Sequence, residues 1–347
     1  LKCPNGIVLG TPGSGKSFFA KREMANAFFA TNDHILILDP ENEYTALTEQ
    51  LHGQTIYLAP DSHSYLNPMD LDLSTDVGES PMLMQADFLL SQCELMMASY
   101  GNPLMPIEKS LIDRCISLVY RDYLKNPRPE NMPVLGDLYQ CLREQHNSRA
   151  DDLATAMEIY VTGSLSYLNH RTNVDLNNRM VCYNTSKLGQ GLKKLVMSNV
   201  QKHIWQRTAV NRYAGITTRI FLDEFHLLLK EPQTAAYTAE IYKRFRKWNG
   251  IPTSLTQNVK DLLDSSEIEN ILENSDFVLM LNQGASDRNI LAQRLGISPQ
   301  ELSHVTNSSE GEGLLFFGDK IIPFEDKFPR DTQLYRVMTT KPSDLAA

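Results

Sequence analysis

The octet Gly10–Ser17, with the sequence GTPGSGKS, constrains the fold of this chain more than any other segment. It follows a short apolar run, Gly6–Leu9, and precedes the helix-forming stretch Phe18–Ala25. The octet matches the pattern G-x-x-x-x-G-K-[ST], in which glycines let successive backbone N–H groups point inward at the start of a helix and cradle an anion. It therefore predicts a strand–loop–helix unit of an α/β protein, with a phosphate-binding loop between strand and helix.

The residue types of this loop predict a nucleoside triphosphate site. Lys16 is expected to contact the β- and γ-phosphates, and the Ser17 hydroxyl is expected to bind Mg²⁺. The predicted nucleotide-binding residues are Thr11, Pro12, Gly13, Ser14, Gly15, Lys16 and Ser17. A glycine-rich turn that carries a lysine by chance is the alternative, and the strand–loop–helix context disfavours it.

A pair of acidic residues, Asp223 and Glu224, follows a second apolar run, Ile220–Leu222. A P-loop enzyme needs a carboxylate at the end of a neighbouring strand to position Mg²⁺, and Asp223 is predicted to fill this role. Glu224 is predicted to polarise the attacking water. A strand end with a helix-capping pair is the alternative, and the presence of the P-loop favours the catalytic interpretation.

Three other segments are expected at the same edge of the sheet, where open α/β sheets bind their ligands. The segment DPENEY, residues 39–44, brings acidic residues to the end of a strand. Gln257 ends another strand and is a candidate sensor of the γ-phosphate. Arg288 follows a third strand and is a candidate for contacting the phosphates of a neighbouring subunit. A turn or a surface ion pair would also explain each of these segments taken alone.

Apolar runs separated by helical stretches predict a mostly parallel, doubly wound sheet. The strand candidates are residues 7–9, 35–38, 56–58, 180–183, 220–222, 253–256 and 277–281, with a hairpin over 313–323. Between about Pro81 and His170, apolar residues instead recur at helical spacing. We therefore predict a nucleotide-binding domain over residues 1–80 and 171–347, and an all-helical insertion over residues 81–170.

Composition excludes several other classes of protein. The longest apolar runs are far shorter than the roughly 18 residues of a membrane span. The five cysteines form no C-x-x-C pair, which predicts buried thiols in a reducing compartment. Because a strand and the P-loop come almost at once, we expect the chain to be a piece of a longer protein.

The net charge of −9 argues against nonspecific coating of DNA, but the charges are unevenly distributed. No acidic residue occurs between Asp175 and Asp223. This basic interval carries Arg179, Lys187, Lys193, Lys194, Lys202, Arg207, Arg212 and Arg219. A solvated helix face and a surface that binds a polyanion or a partner are the two interpretations.

Taken together, the motifs resemble those of one family. The series is GTPGSGKS, DPENEY, YLNPMDL (65–71), RIFLDEFH (219–226), YKRFRKWNGIPTSLTQN (242–258) and SDRNILAQRLG (286–296). It resembles the HerA–FtsK branch of RecA-like P-loop motors, and more closely the C-terminal ATPase domain of conjugative type IV secretion ATPases, the VirB-type TraC/TrbE class. The resemblance runs from Gly6 to about Phe324 and implies a RecA-like core with an inserted all-α subdomain.

The resemblance also implies roles for individual residues, with ATP and Mg²⁺ as ligands. Gly10–Ser17 correspond to Walker A, Asp223 with Glu224 to Walker B, and Gln257 to the strand-end sensor. The candidates for an arginine that acts on a neighbouring subunit are Arg288 and, in the stretch before the sensor strand, Arg244 and Arg246 with Lys247. The family often has glycine where this chain has Asn42; asparagine tolerates the left-handed conformation, so the turn is expected to persist.

For function, the resemblance implies an ATP-hydrolysing motor of a type IV secretion or conjugation machine, which energises assembly or substrate transfer across the cell envelope. It implies a homo-oligomeric ring, a hexamer in the full-length protein. The expected partners are other secretion components, including inner-membrane proteins, and DNA. The expected location is the cytoplasm, at the inner face of the cell membrane. A HerA/FtsK-like DNA translocase and a nucleotide-binding scaffold without turnover are the alternatives.

Overall fold

The structure is a computed structural model that describes residues 3–73, 80–98, 104–257, 259, 271–272, 274–341 and 344. Asn258, which ends one of the motifs quoted above, lies outside these residues. The strands are β1 (Gly6–Leu9), β2 (His34–Asp39), β3 (Gln54–Tyr57), β4 (Met180–Asn184), β5 (Thr218–Leu222), β6 (Gly250–Thr256), β7 (Phe277–Met280), β8 (Glu312–Phe317) and β9 (Lys320–Glu325).

The helices in the described part of the chain surround this sheet or form a separate bundle. They are α1 (Lys16–Ala30), α2 (Thr45–Gln50), α3 (Pro81–Ala98), α4 (Pro106–Val119), α5 (Arg121–Lys125), α6 (Leu135–Arg143), α7 (Ser148–Val161), α8 (Gln190–Tyr213), α9 (Pro232–Phe245), α10 (Ala285–Leu295), α11 (Pro299–Leu302) and α12 (Gln333–Met338). Across the described residues, no helix combines the length and the apolar character that crossing a bilayer requires.

The strands form one sheet in the order β3-β4-β2-β5-β6-β1-β7-β8-β9. From β4 to β7 in this order the neighbours are parallel, and β7, β8 and β9 are antiparallel to one another. Central strands are covered on both faces, so they are almost wholly apolar; Ile35–Leu38 of β2 are fully buried. The predicted α/β fold with a mostly parallel sheet is confirmed.

The strand order decides what meets at the functional edge of the sheet. β6 lies between β1 and β5, and all three run in the same direction. The residues that follow their carboxyl ends are therefore neighbours in space. These residues are the P-loop after β1, Gln257 after β6 and Asp223 after β5.

The chain divides into two compact units. The first comprises residues 1–55, 177–184 and 210–347 and contains the nucleotide-site motifs. The second comprises residues 56–176 and 185–209 and is built mainly from α3 to α7 and most of α8. The predicted division of the chain into two domains at residues 81 and 170 stays a prediction.

Within the second unit, α8 holds the segment YLNPMDL in place. Lys202 Nζ donates hydrogen bonds to the carbonyl oxygens of Pro68 and Asp70, at 2.8 and 2.6 Å. Asn199 Nδ2 donates to the carbonyl oxygen of Leu66 at 2.9 Å. Lys202 is only 5% exposed, so it forms no part of a surface that could bind a polyanion.

Two further cations of the basic interval have partners inside the first unit. Arg219 Nε donates to Asp33 Oδ2 at 2.8 Å, and its Nη1 lies 3.3 Å from Glu23 Oε1. Arg179 donates to backbone carbonyl oxygens, including that of Phe28 at 2.9 Å. These contacts favour a structural role for part of the basic interval.

The cysteines agree with the sequence prediction of unpaired, mostly buried thiols. All five are free; four are buried, and Cys141 is half-buried.

Candidate nucleotide-binding site

The loop between β1 and α1 has the conformation that an anion cradle needs. Gly13 and Gly15 have φ angles of 75° and 101°, in the left-handed region that residues with side chains rarely adopt. Because α1 begins at Lys16, the first backbone N–H groups of the helix have no acceptor within it. Such a helix start is a ready site for phosphate.

Five of the seven predicted loop residues line a cavity of about 960 Å³: Pro12, Gly13, Gly15, Lys16 and Ser17. The other two, Thr11 and Ser14, do not line the cavity. Thr11 donates its backbone N–H and its hydroxyl to the carbonyl oxygen of Asn282, at 2.9 and 3.2 Å. Ser14 is 5% exposed, and its Oγ lies where a side chain at Gly10 would be.

Lys16 folds over its own loop. Its Nζ donates to the carbonyl oxygens of Gly10 and Thr11, at 2.8 and 3.2 Å. Burial lowers the pKa of Lys16, whereas the negative charges of Glu224 and Asp223 raise it. The ammonium is therefore bound by backbone acceptors and is influenced by the charges of the acidic pair; a phosphate could replace the carbonyl oxygens.

Asp223 follows β5 and is 4% exposed. Its Oδ1 accepts a 2.9 Å hydrogen bond from the backbone N–H of Glu224. Burial and, secondly, the charge of Glu43 raise the pKa of Asp223 to about 8. Such a carboxylate favours a nearby cation, because a cation removes the cost of keeping it charged.

Glu224 and Gln257, both predicted site residues, are in direct contact. Gln257 Nε2 donates a 2.9 Å hydrogen bond to Glu224 Oε1, and His226 Nδ1 lies 3.1 Å from Glu224 Oε2. Glu224 has a φ of 44°, a conformation that costs free energy for any residue with a side chain. The carboxylate is therefore oriented by its backbone and by the hydrogen bond from Gln257.

The turn DPENEY also contributes to the cavity. The Asp39 carboxylate accepts hydrogen bonds from the backbone N–H groups of Glu41, Glu43 and Tyr44, at 3.3, 3.0 and 3.0 Å. Asn42 has a φ of 58°, which confirms the expectation of a left-handed residue at this position. Glu41 and Glu43 both line the cavity.

The C-terminal segment lines the same cavity, and the sequence did not indicate it. The cavity-lining residues after β9 are Asp326, Lys327, Phe328, Arg330, Tyr335, Thr339, Thr340 and Lys341. Phe18, just after the P-loop, packs against Phe328 and Tyr335 with ring centroids 5.6 and 5.5 Å apart. These residues are far from the P-loop in sequence and carry no motif, so only the fold reveals them.

The predicted arginines do not line the cavity of their own chain. Arg288 lies in the first turn of α10 and is half-buried. Arg244 lies in the last turn of α9 and Arg246 directly follows that helix; both come just before β6 begins and so lie at the opposite edge of the sheet from the P-loop. There, Arg244 Nε donates to Glu240 Oε2 at 2.9 Å, and Arg246 Nη1 lies 3.0 Å from Cys3 Sγ. Their action on a neighbouring subunit stays a prediction.

Comparison with known proteins gives a family match and several matches to solved structures. A profile of the TraG P-loop domain family matches residues 2–311. The structure of VirB4 of Thermoanaerobacter pseudethanolicus matches with a TM-score of 0.82 and 23% identity, over 98% of this chain and 91% of that one. The plasmid coupling protein TrwB in complex with ADP and Mg²⁺ matches with a TM-score of 0.63 and 14% identity, over 96% and 88%. No curated protein matches the chain.

Proposed function

Because the chain belongs to the TraG P-loop domain family, we propose that it hydrolyses ATP as the motor of a type IV secretion or conjugation machine. The family match and the fold shared with VirB4 and TrwB confirm the resemblance to type IV secretion ATPases of the P-loop class. Hydrolysis would energise assembly of the machine or transfer of its substrate across the cell envelope.

One observation carries this proposal: four residues that follow the ends of three strands, β1, β5 and β6, line a single cavity. Lys16, Asp223, Glu224 and Gln257 all line it, and the last two are hydrogen-bonded to each other. A scaffold that only binds nucleotide would need the loop and the lysine. The oriented glutamate is what hydrolysis additionally requires, so its presence favours turnover.

In the proposed complex, the P-loop N–H groups bind the phosphates, and Lys16 exchanges its carbonyl acceptors for phosphate oxygens. The Ser17 hydroxyl and the Asp223 carboxylate are the groups that would hold Mg²⁺. Their oxygen atoms suit this ion, and the raised pKa of Asp223 marks a carboxylate that gains from a cation. Bound Mg²⁺ would neutralise part of the negative charge of the phosphates. TrwB, which has the same fold, binds ADP and Mg²⁺.

Glu224 would orient the attacking water and accept its proton, while Gln257 keeps the carboxylate in position. The ribose and base would lie against the aromatic residues of the cavity, Phe18, Phe328 and Tyr335. Aromatic rings give such a base a surface to pack against.

The proposed working form is a homo-oligomeric ring, a hexamer of the full-length protein, in which an arginine of one subunit completes the site of the next. Other secretion components at the inner face of the cell membrane are the proposed partners. DNA as a partner, and the alternative of a DNA translocase, stay predictions from the resemblance. The internal contacts of Arg179, Lys202 and Arg219 give them no added support.

Steady-state ATP hydrolysis by the full-length protein tests the proposal. Lys16→Ala is expected to abolish turnover, because the variant lacks the cation that contacts the phosphates. Lys320→Ala, which removes an exposed lysine in the β9 hairpin outside the cavity, is the matched control and should retain wild-type turnover. Equal turnover in Lys16→Ala and wild type would reject the proposed function.

A further inference from the structure

The turn after β2 fixes the direction of a side chain that the motor mechanism above does not use. The Asp39 carboxylate binds the backbone N–H groups of Glu43 and Tyr44, both at 3.0 Å. On the outer side, Asn42 Oδ1 accepts hydrogen bonds from Thr45 Oγ1 and Asn184 Nδ2, at 2.9 and 2.6 Å. The turn is thus held from two sides, and the Glu43 side chain takes no part in holding it.

The Glu43 carboxylate enters the nucleotide cavity beside the P-loop lysine and the Walker B aspartate. Glu43 lines the cavity together with Lys16 and Asp223. Burial raises the pKa of Asp223 and lowers that of Lys16, and the negative charge of Glu43 acts on both groups in the upward direction. The carboxylate is therefore close to the place where phosphate and metal would bind.

One oxygen of this carboxylate lacks a partner. Glu43 Oε2 is buried and has no hydrogen-bond partner among the described residues. A buried carboxylate oxygen without a donor costs free energy, and this cost is removed where an ordered water or a ligand supplies the donor. The ligand must be a cation or a hydrogen-bond donor, since a carboxylate only accepts.

Most of the other acidic residues that line the cavity have partners: Glu310 pairs with Lys341, Asp326 pairs with Arg22, and Glu312 accepts from the backbone N–H of Ser309. Glu224 Oε1 is held by Gln257, and its Oε2, which also lacks a hydrogen-bond donor among the described residues, lies beside His226, as expected of a residue that orients the attacking water. Asp39 is used in full by the turn. Glu43 and Asp223 are thus two cavity carboxylates that are available to a metal ion. Mg²⁺ usually retains several waters and binds through one or two carboxylates, so its waters would be the missing donors.

We propose that Glu43 is a positioning residue for the Mg²⁺ of the bound nucleotide, which accepts hydrogen bonds from the metal's water shell alongside Asp223. The inference rests on the proposed function, since it requires a nucleotide with its metal in this cavity. It adds a residue from the end of β2 to a site otherwise supplied by β1, β5 and β6.

The proposal has two consequences that a structural role would not have. Without metal, Glu43 and Asp223 repel each other, so Glu43→Gln should make the free protein at least as stable as wild type. With metal, the same variant loses an acceptor for the water shell, so it should need more Mg²⁺ to bind nucleotide. Loss of an outer-shell ligand partner typically weakens metal affinity about 10- to 100-fold.

The test is equilibrium binding of a fluorescent ATP analogue to the full-length protein, in EDTA and over a series of Mg²⁺ concentrations. Glu43→Gln is expected to raise the Mg²⁺ concentration for half-maximal enhancement of binding by about tenfold or more, with affinity in EDTA preserved. Glu130→Gln removes one negative charge at an exposed position outside the cavity and is the matched control. Melting temperatures in EDTA are measured for all three proteins.

A Glu43→Gln variant with the Mg²⁺ dependence of wild type would overturn the proposal, whether or not its turnover falls. A melting temperature in EDTA clearly below wild type would also overturn it, because Glu43 would then stabilise the fold. Failure of the wild-type protein to bind the analogue at any Mg²⁺ concentration would instead reject the proposed function, which keeps the two failures distinct.

Discussion

Gln257 Nε2 donates a 2.9 Å hydrogen bond to Glu224 Oε1, and so connects the ends of the adjacent strands β6 and β5. Glu224 stands in a left-handed conformation, with a φ of 44°. The glutamine is therefore the side chain that keeps this carboxylate in one orientation. A change in the position of Gln257, such as one caused by a γ-phosphate, would be transmitted directly to Glu224.

We predict that Gln257→Ala lowers kcat for ATP hydrolysis by about 10- to 100-fold, while nucleotide affinity stays within about twofold, because the change frees the Glu224 carboxylate. Gln293→Ala, at an exposed position of α10, is the control and should leave kcat unchanged. Gln257→Ala should cause no further fall of kcat in a protein that already carries Glu224→Gln. A further, fully additive loss there would show that Gln257 acts independently of Glu224.

Mixing of variants is predicted to reveal the arginine that acts between subunits. If Arg288 completes the site of a neighbour, Arg288→Ala and Lys16→Ala proteins are each inactive but recover ATPase activity when mixed into common rings. The recovery arises because each Lys16→Ala subunit lends its arginine to an intact P-loop. The same mixing with Arg244→Ala and Arg246→Ala ranks the three candidates. No recovery in any mixture would contradict action in trans.

The turn at Asn42 is predicted to tolerate glycine far better than valine. Both Asn42→Gly and Asn42→Val remove the acceptor for Thr45 and Asn184, so their difference isolates the backbone conformation. Since Asn42 has a φ of 58°, valine should be less stable than glycine by about 1–2 kcal/mol in denaturant unfolding. Equal stabilities would mean that the turn does not require a left-handed residue.

Lys202 is predicted to make stability depend on pH in the neutral to alkaline range. Burial lowers the pKa of Lys202 from 10.5 to about 7. Between these values the unfolded chain binds the proton more strongly, so the free energy of unfolding rises with pH, by at most about 1.4 kcal/mol per pH unit. Lys202→Met should flatten this rise between pH 7 and 9.5, measured by urea unfolding. Lys187→Met, at an exposed position, should retain it. An unchanged slope in Lys202→Met would contradict the assignment.

The sequence predicted the parts of the site that are local in the chain. The P-loop is a contiguous motif, and apolar runs that end in Asp223 and Gln257 mark strand ends, so α/β topology alone brings them to one edge. The hairpin predicted over residues 313–323 and the left-handed Asn42 follow from local conformational preferences in the same way.

The remaining parts depend on contacts between distant segments, which periodicity does not encode. Lysine is usually a surface residue, but Lys202 is buried and donates to the carbonyl oxygens of Pro68 and Asp70. Similarly, the packing of Tyr335 against Phe18 brings the C-terminal segment into the cavity. The sequence indicates neither contact, because each depends on where a remote backbone segment passes.

The most direct test of the central claim is a single-turnover experiment with radiolabelled ATP and Mg²⁺ on the full-length protein and its Glu224→Gln variant. Both proteins are expected to bind ATP. Wild type should convert it to ADP, whereas Glu224→Gln should retain it as ATP, with conversion slower by about 10²-fold or more. Conversion by Glu224→Gln at the wild-type rate would contradict the assignment of the catalytic glutamate and of this cavity as the site of hydrolysis.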